Sequence, residues 1–468
     1  MQAPFDLPTD LDTPLSAYLK LAPLGPRFLL ESVSGPEHAA RYSFLGLGPA
    51  DSFELRGDAL LRNEEPFADV HDRASLARAL RQALASAPEF LPAAPELPFR
   101  GGLVGVLGYE LVRRLERLAP VRPTPFPELR LLAPHAVLVF DHTRRTAALL
   151  TSGSAAERAR LRAEVRAALA GPLPQRPRGG HVGPASASLA REPFLERAAR
   201  VLEHIREGDV YQLVLSSAFE GETDLAPIEL YRALRLTNPS PYMTLFEFAD
   251  LAVIGASPEA LVRVEQGRAT LQPIAGTRPR GCDPAQDLAL ERELAGDPKE
   301  ASEHVMLVDL ARNDLGRVAR IGTVRVREHA VIERFARVQH LVSRVEAELA
   351  SGKDALDALA ASFPAGTVSG APKVRAMELI AAVEPQTRGP YAGAFGYVDG
   401  SGALDLAIVI RSFVARRGVL SVQAGAGIVF DSSPEAEYQE TLDKARALFD
   451  AVKLASSASF QRKVEVAR

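Results

Sequence analysis

The sequence is poor in the features that mark secreted, thiolate-metal and membrane proteins. Cys282 is its only cysteine, so no internal disulfide can form and no cluster of thiolates can hold a metal. Residues 1–13 contain neither a basic start nor an apolar run, so we expect no signal peptide. No stretch reaches the roughly 18–20 apolar residues that span a bilayer. The formal net charge of −4 argues against a general attraction to nucleic acid or membrane. These absences predict a cytoplasmic protein.

What the sequence does contain is typical of a large globular chain. It has 468 residues, 47% hydrophobic and 24% charged. The sequence predicts hairpins around Ala249–Asp250, Asp399–Gly400 and Arg417–Gly418, and a strand at Ala269–Ile274. Strands joined mostly by hairpins, with helices bunched between them, predict an α+β fold rather than a doubly wound sheet. We predict an N-terminal lobe at 1–170, a Pro-, Gly- and Ser-rich linker at 171–190, a second domain at 191–455 and a tail at 456–468.

The segment Ser362–Glu384 predicts a loop that turns into a helix. Gly366 and Gly370 allow a ligand to approach the backbone closely, and Pro372 suits a first helical turn because its missing N–H would bond to nothing there. The exposed N–H groups at a helix start attract anions. An ordinary loop-to-helix junction has the same features, so this segment alone leaves a binding site and a structural turn equally open.

Two pairs of glutamates have the i, i+3 spacing that places both side chains on one helix face. They are Glu300 with Glu303 and Glu437 with Glu440. Carboxylate oxygens, in a chain without clustered thiol or histidine ligands, suit Mg²⁺. The same spacing is common on solvated helix faces, and that alternative stays open from the residues alone.

His340 and Arg411 each lie beside apolar strand residues. His340 alternates with Val338 and Val342, a pattern that fits a hydrogen-bonded core histidine as well as a group in a site. Arg411 follows the apolar run Ala407–Ile410. Its planar guanidinium matches a carboxylate, and it equally suits the surface end of a strand.

Six blocks of sequence, in the same order, resemble the chorismate-using enzymes. They are PIAGTRPRG (Pro273–Gly281), EHVMLVDLARNDLGRV (Glu303–Val318), GTVSGAPKVRAMELI (Gly366–Ile380), RGPYAGAFGYVDG (Arg388–Gly400), AIVIRS (Ala407–Ser412) and VQAGAGIVFDSSPEAEYQETLDKA (Val422–Ala445). The resemblance implies a two-sheet β core surrounded by helices, a chorismate-binding catalytic domain at 191–455 and Mg²⁺ as cofactor. It is closest to the members that form anthranilate from chorismate and ammonia, a lyase reaction of tryptophan biosynthesis.

The resemblance also implies roles for single residues in catalysis. Glu303 and Glu440 would bind Mg²⁺ directly, with Glu300 and Glu437 in support. Catalytic roles are implied for His340, Thr367 and Glu259, of which Glu259 faces the departing 4-hydroxyl. A protonated carboxyl or a histidine there would lower the barrier as a general acid. Substrate contacts are implied for Gly276, Thr277, Arg278, Tyr391, Arg411, Gly425, Ala426 and Gly427.

A second site is implied in the N-terminal lobe and beside it. The segments Leu29–Ser32, Arg41–Gly46 and Asn238–Met243 resemble those that form a tryptophan-inhibitor pocket in anthranilate-forming enzymes. The residues implied to contact the inhibitor are Ser32, Pro241, Tyr242 and Met243. The alternative is that Ser32 ends a strand and that the segment NPSPYM is a proline-rich turn. A real pocket would make the N-terminal lobe regulatory.

Two positions indicate which reaction follows. Ala275 stands where similar aminodeoxychorismate synthases commonly carry a lysine nucleophile, and Gln212 stands where isochorismate- and salicylate-forming relatives carry a lysine that activates water. Alanine and glutamine can do neither. Ammonia therefore fits as the nucleophile. Because Cys282 lacks the setting of a glutaminase cysteine, the resemblance implies a separate glutamine amidotransferase subunit as partner in a hetero-oligomer.

Two alternatives stay open. An aminodeoxychorismate synthase component I, with Ala275 as an exception, would lead to a para-substituted aminobenzoate. A non-catalytic regulator would keep the chorismate and tryptophan pockets without turnover, although such a protein has no need for both metal acids and His340.

Overall fold

The computed structural model describes residues 5–33, 41–119, 122–174, 180–335, 338–457 and 460. Within these residues the strands are β1 (Phe5–Pro8), β2 (Pro26–Glu31), β3 (Tyr42–Arg56), β4 (Ala59–Arg62), β5 (Glu65–Asp69), β6 (Gly102–Leu107), β7 (Leu129–Asp141), β8 (Thr146–Thr151), β9 (Ser186–Ala187), β10 (Gln212–Glu222), β11 (Tyr242–Glu247), β12 (Ala252–Ser257), β13 (Ala260–Glu265), β14 (Arg268–Leu271), β15 (Ile274–Pro279), β16 (Arg325–Arg334), β17 (Val338–Glu348), β18 (Gly370–Ala371), β19 (Ala394–Asp399), β20 (Leu404–Ile408), β21 (Ser412–Arg416) and β22 (Val419–Val429).

Helices lie between the strands and at the C-terminal end. The α-helices of the described residues are α1 (Pro14–Lys20), α2 (Arg73–Ala85), α3 (Val112–Leu115), α4 (Ala155–Ala170), α5 (Arg191–Arg206), α6 (Pro227–Thr237), α7 (Pro284–Gly296), α8 (Pro298–Gly316), α9 (Ala355–Ser362), α10 (Lys373–Val383) and α11 (Pro434–Ser456). Short 3₁₀ turns cover Ala22–Leu24, Tyr109–Leu111 and Gly366–Val368.

The strands build two layers with an apolar core between them. Side chains alternate along each strand, so neighbouring residues face opposite sides. In β6, Val104 joins the inner core together with Phe395 of β19, whereas Leu103 faces outward. In the other layer, Val253 of β12 faces the inner core and Ile254 faces outward. The predicted α+β fold with a two-sheet β core is confirmed.

Helices cover both outer faces. Helices α2, α8 and α9 pack on the layer that contains β6, β13, β19 and β20. Helices α1, α4, α6 and α11 pack on the layer that contains β2, β11, β12 and β21. Each face therefore has its own helix-covered apolar cluster, and α8 and α11, which carry the two glutamate pairs, pack on different layers.

Two long strands pass from one layer to the other. In β7, Leu131 belongs to the cluster under α2 and α8, and Leu138 belongs to the cluster under α6 and α11. Its neighbour β3 makes the same change, with a register shift between Leu47 and Ala50 opposite Pro134. The N-terminal strands thereby join the two layers.

Strands from the N-terminal lobe pair directly with strands of the second domain. β2 is antiparallel to β11, with Glu31 opposite Met243, and β6 is antiparallel to β19. The boundary at 171–190 stays a prediction, and part of it, 175–179, lies outside the described residues. The same holds for residues 461–468 of the predicted tail, whose first residue, Ser456, is the last residue of α11.

The predicted hairpins are confirmed, and one strand prediction is wrong. β11 and β12 pair around Ala249–Asp250, β19 and β20 around Asp399–Gly400, and β21 and β22 around Arg417–Gly418. The predicted single strand Ala269–Ile274 is instead two strands, β14 and β15, which both pair with β17. Pro273 lies between them, and it has no N–H to donate to a continuous ladder.

Within the part of the chain that the structure describes, no helix is both long enough and apolar enough to cross a membrane. The cytoplasmic location stays a prediction.

Candidate active site

The loop-to-helix segment pairs with the start of β10 through β18, and its cations are already paired. After α9 ends at Ser362, the 3₁₀ turn and β18 lead into α10, which begins at Lys373. Pro372 therefore precedes the helix rather than lying in its first turn. Lys373 Nζ lies 2.6 Å from Asp314 Oδ2, and Arg375 Nη2 lies 3.0 Å from Asp209 Oδ2. The segment's contribution to a site is consequently its backbone and Thr367.

Thr367 and Glu259 contact each other. The Thr367 hydroxyl donates to Glu259 Oε1 at 3.0 Å. Glu259 is only 8% exposed. Burial raises the pKa of Glu259 to about 8, against the opposing effects of the Thr367 hydrogen bond and the charge of Lys444. The carboxyl is therefore protonated at neutral pH and has a proton to donate.

His340 is a neutral imidazole with a fixed tautomer. It lies on β17 opposite Thr277 of β15. Its Nδ1 is 3.0 Å from the Gly276 carbonyl oxygen, which can only accept, so Nδ1 carries the hydrogen and Nε2 is the unprotonated nitrogen. Burial lowers the pKa of His340, the Gly276 carbonyl opposes this, and the charge of Arg411 lowers it further. Glu259 and His340 thus have opposite roles available: one holds a proton and the other offers a lone pair.

The structure brings the two glutamate pairs into one region. Burial raises the pKa of Glu303, and the charges of Glu300, Glu440 and Glu437 raise it further. Burial and the charge of Glu440 likewise raise the pKa of Glu437. Helices α8 and α11 are far apart in the sequence, so the sequence alone could not show that their acids are neighbours.

These four acids fit a divalent cation. Glu437 is buried, Glu300 and Glu303 are half-buried, and Glu440 is exposed and lies 2.7 Å from Lys444 Nζ. Hard carboxylate oxygens are the ligands that Mg²⁺ prefers. In the described residues, no three of them bring their oxygens within 4.8 Å of one another. Such spacing suits an ion that also binds water and a substrate group. A tighter group, His204, Glu207 and Asp209, lies elsewhere in the described residues, and Arg375 pairs with its Asp209.

Arg411 and Tyr391 are neighbours, and the charge of Glu440 also acts on Arg411. Arg411 has a left-handed backbone (φ 51°), as does Ala392 (φ 62°), which follows Tyr391. Such a conformation costs energy for a residue with a side chain and is common at functional sites. Arg411 Nη1 donates to the Lys444 carbonyl at 3.0 Å. Burial lowers the pKa of Arg411 and raises the pKa of Tyr391 to about 12, and each side chain feels the other's charge.

Backbone segments complete the candidate site. Gly425 and Gly427 of β22 lie opposite Ser216 and Val214 of β10, and a Cβ on Gly427 would overlap Gln212 Nε2. Ala426 lies between the two glycines and is buried. The glycines let β22 pass close to the Gln212 side chain. Substrate contacts for this segment stay a prediction.

Arg278 is held by acids. Its guanidinium lies 2.8 Å from Glu293, 2.9 Å from Asp297 and 3.3 Å from Glu300. It therefore connects β15 to the start of α8, next to the glutamate pair of that helix. The structure shows contacts of Gly276, Thr277 and Arg278 with His340 and Glu300. A role for these three residues in substrate binding stays a prediction.

Sequence reasoning missed a buried ion pair behind the candidate site. Arg388 is 3% exposed and Glu384 is 4% exposed. The guanidinium donates to both Glu384 oxygens, at 2.9 and 2.7 Å, and to the carbonyls of Val368 and Val214, at 2.7 and 2.9 Å. Glu384 Oε1 also accepts from the Ser216 N–H at 2.9 Å. The i, i+4 spacing of the pair was a signal in the sequence.

This ion pair fixes three parts of the site relative to one another. Val368 follows Thr367 in the chain, and Ser216 lies opposite Gly425. The Arg388 guanidinium also stacks on Tyr391, 5.6 Å from the ring centre. Arg388 is therefore a positioning residue, because it contacts the neighbours of the candidate catalytic groups.

The four predicted inhibitor residues line one cavity of about 510 Å³, separate from the glutamate pairs. Its lining includes Ser32, Pro241, Tyr242 and Met243. Ser32 lies next to Glu31, whose carboxylate accepts from the Tyr231 hydroxyl and lies 3.2 Å from Arg235 Nε. These bonds hold the end of β2 against α6. Inhibitor binding by these residues stays a prediction.

A known family shares this arrangement of elements and residues. The profile of the chorismate binding enzymes matches residues 25–450. The chain belongs to that family.

Relatives with similar sequences and structures share one name. The chain is 47% identical to anthranilate synthase component 1 of Thermus thermophilus, over 96% of this chain and 97% of the relative. It is 45% identical to the protein of the same name from Pseudomonas aeruginosa, over 96% and 95%. Anthranilate synthase component I of Streptococcus pneumoniae superposes with a TM-score of 0.79 at 34% identity, covering 96% of this chain and all of that one (100%).

Enzymes with other names share this fold. The menaquinone-specific isochorismate synthase of Escherichia coli superposes with a TM-score of 0.70 at 22% identity, covering 96% of each chain. This likeness concerns the fold alone.

Proposed function

We propose that this protein is an anthranilate synthase component I, which converts chorismate and ammonia to anthranilate, pyruvate and water. The observation that carries the proposal is the convergence of two glutamate pairs, a neutral His340 and a protonated Glu259 in a chain 47% identical to a relative of that name. Curated relatives of the same name cover nearly the whole chain.

The proposed chemistry begins with departure of the 4-hydroxyl. Hydroxide is a poor leaving group, and the proton of Glu259 lets it leave as water. Ammonia adds at C2, and His340 Nε2 is available to accept a proton. Loss of the C2 hydrogen and of the enolpyruvyl group as pyruvate then makes the ring aromatic. The Thr367 hydroxyl keeps Glu259 oriented through its 3.0 Å hydrogen bond.

Chorismate has two carboxylates, and the site offers an anchor for each. Arg411, a buried guanidinium, fits one of them as a bidentate donor. The acids Glu303 and Glu440, supported by Glu300 and Glu437, would hold Mg²⁺, which when bound supplies positive charge for the other carboxylate. The space between these two anchors is enclosed by Tyr391 and by the backbone of Gly425–Gly427. Two fixed ends orient the ring before the bonds change.

The lack of a nucleophilic lysine favours this reaction over the reactions of other family members. Ala275 and Gln212 have no amine, so neither a covalent lysine adduct nor a lysine-activated water is available. Cys282 is exposed, and its Sγ lies 3.7 Å from Asp283 rather than beside a histidine. We infer that a separate glutamine amidotransferase subunit supplies the ammonia.

The experiment compares two nitrogen sources. The purified chain is mixed with chorismate and Mg²⁺, and anthranilate is followed by its fluorescence. We expect formation of anthranilate from ammonium at raised pH, where free NH₃ is present, and essentially none from glutamine. No anthranilate from ammonium would contradict the enzyme proposal, whereas glutamine-dependent activity of the chain alone would contradict the partner proposal.

We also propose feedback inhibition by tryptophan in the cavity of Ser32 and Pro241–Met243. The support is that these residues, from segments about two hundred positions apart, line one space between the N-terminal strands and the catalytic sheet. An inhibitor there would couple the N-terminal lobe to the strands that carry the site. By linkage, chorismate and tryptophan then weaken each other's binding by the same factor.

A further inference from the structure

Two buried oxygens in the cavity of Ser32 have no hydrogen-bond partner in the described residues. They are Ser32 Oγ and Asp405 Oδ1. Both residues line the cavity of about 510 Å³. A buried polar atom without a partner costs free energy, and a carboxylate oxygen costs more than a hydroxyl. Asp405 is therefore the feature of this cavity that most needs a ligand.

The strand pattern places Asp405 on the inner side of its layer. In β20, Leu404 and Leu406 face the outer cluster, and Ala407 faces the inner core. Asp405 lies opposite Arg263 of β13 on one side and opposite Tyr397 of β19 on the other. Burial raises the pKa of the Asp405 carboxyl, while the charge of Arg263 and the nearby Tyr242 hydroxyl lower it. Asp405 Oδ1 has no hydrogen-bond partner in the described residues.

The other acids of this cavity have partners. Glu31 bonds to Tyr231 and Arg235, and Glu346 lies 3.2 Å from Arg268. Glu265 lies 3.3 Å from Arg263, and Glu333 accepts from Gln272 at 3.3 Å. Asp405 is the cavity acid that combines burial with an unpartnered oxygen in the described residues.

The charges and rings around Asp405 define the class of ligand. A cationic donor satisfies an unpartnered carboxylate oxygen best. Arg263, the positive neighbour of Asp405, also lines the cavity, so the wall presents both signs of charge. The aromatic residues Phe44, Phe395 and Tyr397 line the same space. Opposite charges beside aromatic rings fit an aromatic α-amino acid, which carries an ammonium, a carboxylate and a ring.

We propose that Asp405 accepts a hydrogen bond from the α-ammonium group of the amino-acid inhibitor, and that this bond makes the cavity select free amino acids. The inference rests on the proposed tryptophan site and adds the residue that reads the ammonium group. An indole acid without that group leaves Asp405 Oδ1 unpartnered and binds more weakly.

The test is calorimetric titration of the full chain with L-tryptophan and with indole-3-propionate, which lacks the ammonium group. Wild type should bind tryptophan at least about tenfold more tightly, the scale of a hydrogen bond to a charged group. In Asp405→Asn, tryptophan binding should weaken at least about tenfold while indole-3-propionate binding changes little. Glu265→Gln is the matched control: it removes one negative charge from the same wall, from a solvent-exposed side chain, and should leave the preference intact.

The outcomes separate this inference from the site itself. If Asp405→Asn keeps the full preference for tryptophan, or loses affinity for both ligands equally, Asp405 does not read the ammonium group and the inference is overturned while the tryptophan site stands. A wild-type chain that binds both ligands equally overturns it without any variant. A wild-type chain that binds neither ligand overturns the tryptophan site, and the inference with it.

Discussion

The polar groups of the candidate active site and those of the cavity of Ser32 differ in whether the protein itself supplies their partners. In the active site, the protein itself holds the functional side chains: Glu259 bonds to Thr367, His340 to the Gly276 carbonyl, and Arg388 to Glu384. In the cavity, Ser32 Oγ and Asp405 Oδ1 lack partners in the described residues. The candidate catalytic side chains are held before any ligand arrives, although Gln212 Oε1 beside Gly427 also lacks a partner in the described residues. In the cavity, the unpartnered atoms are ones that a ligand would complete.

This difference has a physical meaning for each region. Groups fixed in advance need no reorganisation when charge develops during a reaction. A cavity with unsatisfied atoms gains free energy when a ligand satisfies them, which suits a site whose occupancy shifts an equilibrium. Substitutions that remove contacts in the active site should change turnover or folding. Substitutions of the unpartnered groups in the cavity should change only the response to ligand.

The largest effect is expected from the metal acids. Glu440→Gln or Glu303→Gln removes one carboxylate charge from the group that fits Mg²⁺, so turnover with ammonium should fall at least about a thousandfold while the fold persists. The anthranilate assay measures the rate, and circular dichroism checks the fold.

The matched control for that prediction is Glu435→Gln, one turn away on α11. Glu435 pairs with Arg191 at 2.6 Å on the exposed surface, so its loss should change little. Near-normal Mg²⁺-dependent activity in either metal-acid variant would rule out the assignment.

Arg388→Met should have the next largest effect, on stability. It leaves Glu384 as a buried charge without its partner, which typically costs about 3–5 kcal/mol. Urea unfolding measures the loss, and Arg388→Met/Glu384→Gln should recover part of it because no buried charge remains.

The control for the buried pair is the exposed pair of Arg320 and Glu348. Arg320→Met should cost less than about 1 kcal/mol, since both side chains are largely in water. If Arg388→Met costs as little, the ion pair does not hold the site together.

A smaller effect is expected from the titration of Glu259. Burial raises its pKa to about 8, and the proposed role needs the protonated form. Turnover at a fixed concentration of free NH₃ should therefore decline as pH rises through about 8. Glu259→Gln should lower turnover about a hundredfold and remove this decline. A decline that persists in Glu259→Gln would assign the titration to another group.

Ser32→Leu should change the response to tryptophan. The larger apolar side chain fills part of the cavity and removes the free hydroxyl, so the ratio of the rates with and without tryptophan should approach one. The coupling that is lost is typically about 1–3 kcal/mol. If Ser32→Leu is inhibited as strongly as wild type, or if millimolar tryptophan leaves wild type unaffected, the segments around Ser32 are structural only.

The sequence predicted local elements well because turns and periodicity are local signals. The hairpins around Ala249–Asp250 and Asp399–Gly400 follow from their turn residues. The two-layer core needed the family resemblance, since nothing local shows that β3 and β7 pass between layers. The strand break at Pro273 was a local signal that the prediction overlooked.

The candidate site was predictable as a set of residues but not as an arrangement. That Glu437 lies close enough to Glu303 to raise its pKa depends on how α8 and α11 pack on different layers. The protonation of Glu259 and the neutrality of His340 depend on burial, which spacing does not show. Asp405 gave no signal because an acid in a strand is ordinary until the structure shows that it lines a cavity and has a buried, unpartnered oxygen.

The most direct test of the proposed activity is the identity of the product. Wild-type chain is incubated with chorismate, Mg²⁺ and ¹⁵N-labelled ammonium, and the products are identified by NMR. We predict ¹⁵N-labelled 2-aminobenzoate together with an equal amount of pyruvate. A 4-amino product that retains the enolpyruvyl group, a hydroxylated product without ¹⁵N, or unchanged chorismate would contradict the proposal.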